Sequence, residues 1–280
     1  MKFEKGVSNM ATTLAERMSK FSGSPTSALI AKVAELKQQG KDIISLNVGE
    51  PDFGTPDYIK VAGMKAIADN FTKYTPGNGI LELRQEIVKK LKQDNGIEYG
   101  LNEITTSVGA KQAIASAMMV IAGPGDEVIL PIPCWVSYTE MIRLAGATPV
   151  FVPVRPDNYE LDLKAIEDAI TPRTKAIIIC TPNNPTGAVY SEESLRKLAE
   201  LAVKHDFFIV ADEIYEKLVY DGAKHFSVAS ISQEVKERTV TVNGFSKAYA
   251  MTGWRVGYAA ARPDVIKGIM AVQSQTTSAT

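Results

Sequence analysis

From residue 104 to the end of the chain, short β-branched runs alternate with helical ones, and that alternation dictates the fold class. Apolar strands are expected at 127–130, 148–154, 175–180, 207–211, 239–243 and 254–260. Helices are expected at 109–122, 135–145, 163–170 and 191–205. A strand written as one unbroken apolar run, such as KAIIIC at 175–180, has to be buried on both faces. A mostly parallel sheet between two helical layers buries it that way. The expected architecture is therefore a three-layer α/β/α domain. Upstream, Leu29, Val33 and Leu36 share a face of a helix over 24–40, and Leu83, Ile87 and Leu91 mark another over 81–94. Gly40 and Gly96 supply their stops. Ser191 is placed to cap the helix at 191–205, with Glu192 and Glu193 in the first turn, where the helix dipole favours them.

Composition narrows the functional classes. The 280 residues carry 31 basic and 32 acidic side chains, a formal net charge of −1, and 45% of them are hydrophobic. A disordered chain does not look like this. Nor does one that grips nucleic acid through a broad basic face. No run reaches membrane-spanning length, and the N-terminus lacks the apolar core of a secretory signal, so a cytoplasmic protein is expected. Cys134 and Cys180 show no CxxC spacing, and His205 and His225 are the only histidines. The expectation is buried free thiols, a reducing compartment and no metal site.

In sheets of this kind, ligands collect at the carboxyl ends of the strands. After 175–180 comes TPNNPTG, after 207–211 comes Asp212-Glu213-Ile214-Tyr215, and after 239–243 comes Gly244-Phe245-Ser246-Lys247. Singly, each has an ordinary explanation: a turn, a helix cap, a solvated lysine, and for Arg255 a structural ion pair. Together they match one chemistry, that of pyridoxal phosphate. A lysine amine can form a Schiff base with the cofactor aldehyde. A carboxylate can keep the pyridine nitrogen protonated. A helix start plus an arginine can hold the phosphate, and an aromatic ring can stack on the cofactor. Lys247, Asp212, the Gly109-Ala110-Lys111 helix start, Arg255 and Trp135 or Tyr215 could fill those roles.

SKAYAMTGWRVGY (246–258) resembles the lysine block of class I aminotransferases of pyridoxal phosphate fold type I. TPNNPTG (181–187), ADEIY (211–215), VGEPDF (48–53), KYTPGNG (73–79) and VGAKQA (108–113) are similar to that family's other blocks, in its order. The likeness is strongest to the bacterial aspartate aminotransferase branch. It implies that Lys247 carries the cofactor and moves the substrate proton, and that Asp212 pairs with the pyridinium nitrogen. It implies that Tyr215 and Asn183 hydrogen-bond the ring oxygen and that Trp135 stacks on the ring. Ala110, Lys111, Ser246 and Arg255 fall in the phosphate blocks. Tyr74 would reach the cofactor of a neighbouring subunit, which implies a homodimer with shared sites. Gly49 would cover the substrate. Lys111 is also a candidate for selecting dicarboxylates, with Ser24 as a helper.

The expected reaction moves an amino group between an L-amino acid, aspartate or glutamate first, and a 2-oxo acid. The alternatives are an aromatic or prephenate aminotransferase, a pyridoxal-phosphate-dependent β-lyase, and a fragment that binds cofactor without turnover. A transcription regulator is discounted, because too few residues precede the first helix for a DNA-binding module. The resemblance divides the chain into an N-terminal arm and small-domain segment, 1–48, and a large cofactor domain, 49–280. It also implies a small domain beyond residue 280, bearing a carboxylate-binding arginine that has no match in this sequence.

Overall fold

The computed structural model describes residues 14–15, 18–19, 23, 25–46 and 48–279; Ser24 lies outside them. Within these described residues, seven strands form one sheet: β1 (Ile104–Val108), β2 (Glu127–Ile132), β3 (Thr148–Pro153), β4 (Thr174–Cys180), β5 (Phe208–Asp212), β6 (Thr239–Gly244) and β7 (Val256–Ala260). Among the described residues, nine α-helices accompany them: α1 (Pro25–Gln38), α2 (Asp57–Ala68), α3 (Leu81–Asn95), α4 (Gly109–Ile121), α5 (Ser137–Leu144), α6 (Leu163–Ala169), α7 (Glu192–His205), α8 (Gln233–Arg238) and α9 (Pro263–Thr276). The strand order is β1-β7-β6-β5-β4-β2-β3. β7 is antiparallel to both neighbours, and the remaining pairs are parallel.

The two faces of the sheet are packed separately, as the period-2 alternation of strand side chains requires. In β4, Ala176 and Ile178 join Ile114 and Met118 of α4, Ile142 of α5 and Ile266 of α9. Ile177 and Ile179 point the other way, onto Ile166 of α6 and Leu195 and Leu198 of α7. A smaller cluster unites Ile87 and Leu91 of α3 with Ile104 of β1 and Tyr258 of β7. Burying each such side chain is worth roughly 1.5–3 kcal/mol. The result is the expected three-layer, mostly parallel domain.

Local signals behaved as their chemistry requires. Ser191 Oγ accepts the Ser194 N–H at 3.2 Å. Gly96 closes α3 in the left-handed region, at φ 69°. Three spans differ from expectation. The segment expected as helix over 135–145 starts at Ser137, leaving Cys134 and Trp135 in the connection after β2. β5 runs one residue later than expected and ends on Asp212 itself. β7 starts at Val256, so Arg255 is not in a strand: Thr252–Trp254 makes a tight turn, and Arg255 follows it at φ 57°. Cys134 is only partly buried, whereas Cys180 is buried; both are free thiols. Among the described residues, no helix is long and apolar enough to cross a membrane.

Candidate active site

The carboxyl edge of the sheet opens into a cleft of about 610 Å³. β1 leads into the start of α4, β2 into Trp135, β4 into the TPNNPTG turn, β5 into Asp212 and β6 into Ser246 and Lys247. Because β7 runs the other way, its first end reaches this edge and brings Arg255 with it. Gly49, Ala110, Lys111, Trp135, Asn183, Asp212, Tyr215, Ser246, Lys247 and Arg255 all line the cleft. Tyr74 does not, and is 97% exposed.

Asp212 is buried. The Tyr138 hydroxyl donates to its Oδ2 at 2.6 Å, and the Ile214 N–H donates to its Oδ1 at 3.2 Å. Burial pushes its carboxyl up to about 6, against the pull of those two donors, and the neighbouring Glu213 charge adds to the rise. A turn follows Asp212 rather than a helix, so capping does not account for it. The Lys247 amine donates to the Gly49 carbonyl and lies 5.8 Å from the centre of the Tyr215 ring. Burial lowers the pKa of this amine; Glu50 pulls it back and Arg255 pushes it down again. A larger neutral fraction follows, and the neutral amine is the nucleophile.

The start of α4 is built to receive an anion. No side chain caps it, so its first N–H groups keep their capacity. Gly109 sits at φ 71°, and a Cβ there would fall 2.4 Å from Arg255 Nη2. A Cβ on Gly257 would fall 2.5 Å from the Ala110 nitrogen. Both glycines therefore permit a close approach that seats the guanidinium against the positive end of the helix. Arg255 Nη1 is steered by the Thr252 carbonyl at 2.8 Å. The Lys111 amine lies 4.9 Å from the centre of the Trp135 ring, and burial followed by Arg255 lowers its pKa.

One expectation is corrected. The asparagine beside Tyr215 is Asn184, whose Nδ2 donates to the phenol at 3.4 Å. The Asn183 side-chain oxygen is spent inside its own turn, accepting from the Thr186 N–H at 3.2 Å and hydroxyl at 3.0 Å. Tyr138 was also missed. Its signal lay in the sequence, because a tyrosine three residues after Trp135 falls on the same side of a helical turn. The two rings meet edge to face at 5.3 Å.

These groups suit a flat aromatic ligand that has a basic ring nitrogen, a carbonyl carbon open to an amine, and a phosphate. The buried carboxylate fits the first feature, the depressed lysine the second, and the α4 start with Arg255 the third.

Residues 41–280 match the family model described as aminotransferase class I and II. An aspartate aminotransferase of Bacillus sp. (strain YM-2) is 47% identical over 270 residues, covering 96% of this chain and 69% of that protein. A probable aspartate/prephenate aminotransferase of Thermus aquaticus is 48% identical, covering 95% of this chain and 68% of its own length. Among solved structures, an aspartate aminotransferase from Thermus thermophilus with maleate superposes with a TM-score of 0.93 at 47% identity, covering 96% of this chain and 69% of that one.

Proposed function

This chain belongs to the class I and II aminotransferases, and from that premise we propose that it uses pyridoxal phosphate to move an amino group between an acidic L-amino acid and a 2-oxo acid. The observation that carries the reading is a single cleft shared by the buried Asp212, the depressed Lys247 amine and the uncapped α4 start with Arg255.

When bound, the cofactor supplies an aldehyde for the substrate amine and a ring that accepts the electrons left when Cα loses its proton. The N–H groups of Ala110 and Lys111 at the start of α4, with Ser246 and the Arg255 guanidinium, would hold the phosphate. Asp212 keeps a proton on the ring nitrogen, and its own carboxylate is oriented by the Tyr138 and Ile214 donors. Tyr215, with Asn184 rather than Asn183 as its neighbour, holds the phenolic oxygen. Trp135 covers one face and excludes water. Lys247 Nζ carries the cofactor between turnovers and takes the proton from the substrate Cα.

Lys111 is the group we assign to the distal carboxylate of a dicarboxylate substrate. The maleate in the Thermus thermophilus structure supports an acidic substrate, and the dual name of the Thermus aquaticus relative makes prephenate the second candidate. The protein works in the cytoplasm, where Cys134 and Cys180 stay reduced. The segment up to residue 48 reads as an arm distinct from the cofactor domain.

A second copy of the chain completes the site. α2 buries none of its residues, and Tyr58, Val61, Met64 and Ile67 leave it as an exposed apolar face. An unpartnered face of this kind marks an interface. The exposed Tyr74 would then reach the cofactor of the other subunit.

The test of the proposal is chemical. Reducing the protein–pyridoxal phosphate mixture with borohydride should leave a pyridoxyl mass on the peptide bearing Lys247. A label on other lysines only, or no label, would overturn it.

A further inference from the structure

β5 points Val210 towards α4 and α5 and Ala211 towards α7. Asp212 continues that alternation onto the cleft side; beyond it the chain turns, the Glu216 N–H donating to the Glu213 carbonyl at 3.0 Å, and a three-residue spacing brings Tyr215 back to the cleft while Glu213 and Glu216 stay out of it. Behind the sheet, both glutamates enter a buried network. Glu213 Oε2 accepts from Ser227 Oγ at 2.7 Å and from Asn95 Nδ2 at 3.1 Å, and lies 3.2 Å from His225 Nε2. Glu216 Oε2 accepts from the same amide at 2.8 Å, and its Oε1 is paired with the Lys90 ammonium. Lys90 also donates to Asn95 Oδ1 at 2.6 Å. The ligand-capable atoms of Glu213, Glu216 and His225 lie within 4.8 Å of one another, but Lys90 already supplies positive charge there and the neutral Asn95 amide donates to both carboxylates.

We propose that His225 is a positioning residue for the cleft: as an imidazolium it completes a charge-balanced clamp with Glu213, Glu216 and Lys90, and the clamp holds Asp212 and Tyr215 from behind. Two carboxylates and two cations sum to zero. His225 Nδ1 has no hydrogen-bond partner, so the polar contacts of this ring run through Nε2 to Glu213 and Ser227. Burial alone would drive the imidazole neutral; the Glu213 hydrogen bond and charge, joined by Glu216, outweigh burial and the opposing Lys90, and the net shift is upward. Tyr258 of β7 feels the same two carboxylates, and burial first of all holds its phenol protonated.

The consequence is electrostatic. Without the imidazolium, the clamp carries one uncompensated negative charge next to Asp212, whose proton affinity Glu213 already raises. Any cationic group that Asp212 holds in the cleft then keeps its proton to higher pH. This inference rests on the cofactor reading above only for what Asp212 holds; the clamp itself is a property of the cofactor-free chain.

The experiment has two arms. In the cofactor-free protein, the two histidines are titrated by NMR, with His225→Gln assigning the signals. His225 should titrate above the ordinary histidine value and fall back towards it in Glu213→Gln. A titration at or below that value, or one indifferent to Glu213→Gln, overturns the proposal. In the second arm, the pH midpoint of the bound cofactor's visible absorbance is compared among variants, below the pH at which His225 titrates. His225→Gln should raise it and Glu213→Gln lower it, each on the order of half a pH unit or more. The double variant, balanced again at zero, should return towards the parent. Shifts in the same direction, or no shift, would show a merely structural network and overturn the proposal. Absence of any cofactor absorbance in the parent would sink the cofactor reading instead, and the histidine titration still decides the clamp.

Discussion

Replacing Asp212 by asparagine should strengthen the cofactor-free fold while destroying its function. In the free protein, Asp212 is a buried carboxylate whose pKa stands at about 6 against an ordinary 3.8, because burial disfavours its charge. A rise of about 2 units corresponds to about 3 kcal/mol at neutral pH. The sign follows from proton binding. A carboxyl with a raised native pKa binds protons more tightly when folded, so its contribution is fully present below pH 3.8 and is lost as pH rises through about 6. Asparagine sheds the charge; its single Oδ1 keeps the Ile214 N–H, and its Nδ2 faces the Tyr138 oxygen, which then accepts instead of donating. The charge-assisted Tyr138 bond at 2.6 Å weakens, which returns about 1 kcal/mol. The variant should therefore be more stable than the parent by about 1–3 kcal/mol at about pH 7.5. Urea unfolding of both proteins across the acid-to-neutral range measures this, and the gap should close towards low pH. Adding pyridoxal phosphate should stabilise the parent by mass action and the variant far less. A gap that does not change with pH, or a variant weaker than the parent at neutral pH, would refute the reasoning.

Three further substitutions test the cleft. Tyr138→Phe removes a buried donor from Asp212 and should cost about 1–3 kcal/mol in urea unfolding, while pushing the Asp212 titration upward. Gly109→Ala sets a methyl against Arg255 Nη2 at a positive φ, so it should cost about 1–3 kcal/mol and weaken cofactor binding in an absorbance titration. Lys111→Ala should raise the KM for aspartate by roughly 10–100-fold while leaving that for alanine nearly unchanged; an unchanged preference would remove Lys111 from substrate selection.

The sequence made the cleft legible because its groups come from strand ends, and strand ends are marked by the loss of apolar alternation. Asp212 and Lys247 are each the first ionisable residue after a buried run, and Ser246 stands beside the lysine. Arg255 reads as part of the strand in sequence, yet it lies just before β7, because a left-handed residue ahead of a strand leaves no mark in the residue pattern. β1 is hard to read in sequence, because ITTSV is mostly polar by composition and yet its first four residues are buried. α2 escaped notice because this chain buries none of its residues. Asn183 and Asn184 are chemically identical neighbours, and only the turn geometry decides which one faces Tyr215. The clamp was invisible for a stronger reason. Its parts come from α3, the turn after β5 and the 221–227 loop, and no spacing rule links residue 90 to 225.

The most direct test of the account is spectroscopic. Purified protein mixed with pyridoxal phosphate should develop the visible absorbance of cofactor attached through Lys247, and Lys247→Ala should not. L-aspartate should then bleach that band towards a pyridoxamine spectrum, and 2-oxoglutarate should restore it. A band that forms equally in Lys247→Ala, or one that no amino acid alters, would contradict the assignment of this cleft to amino-group transfer.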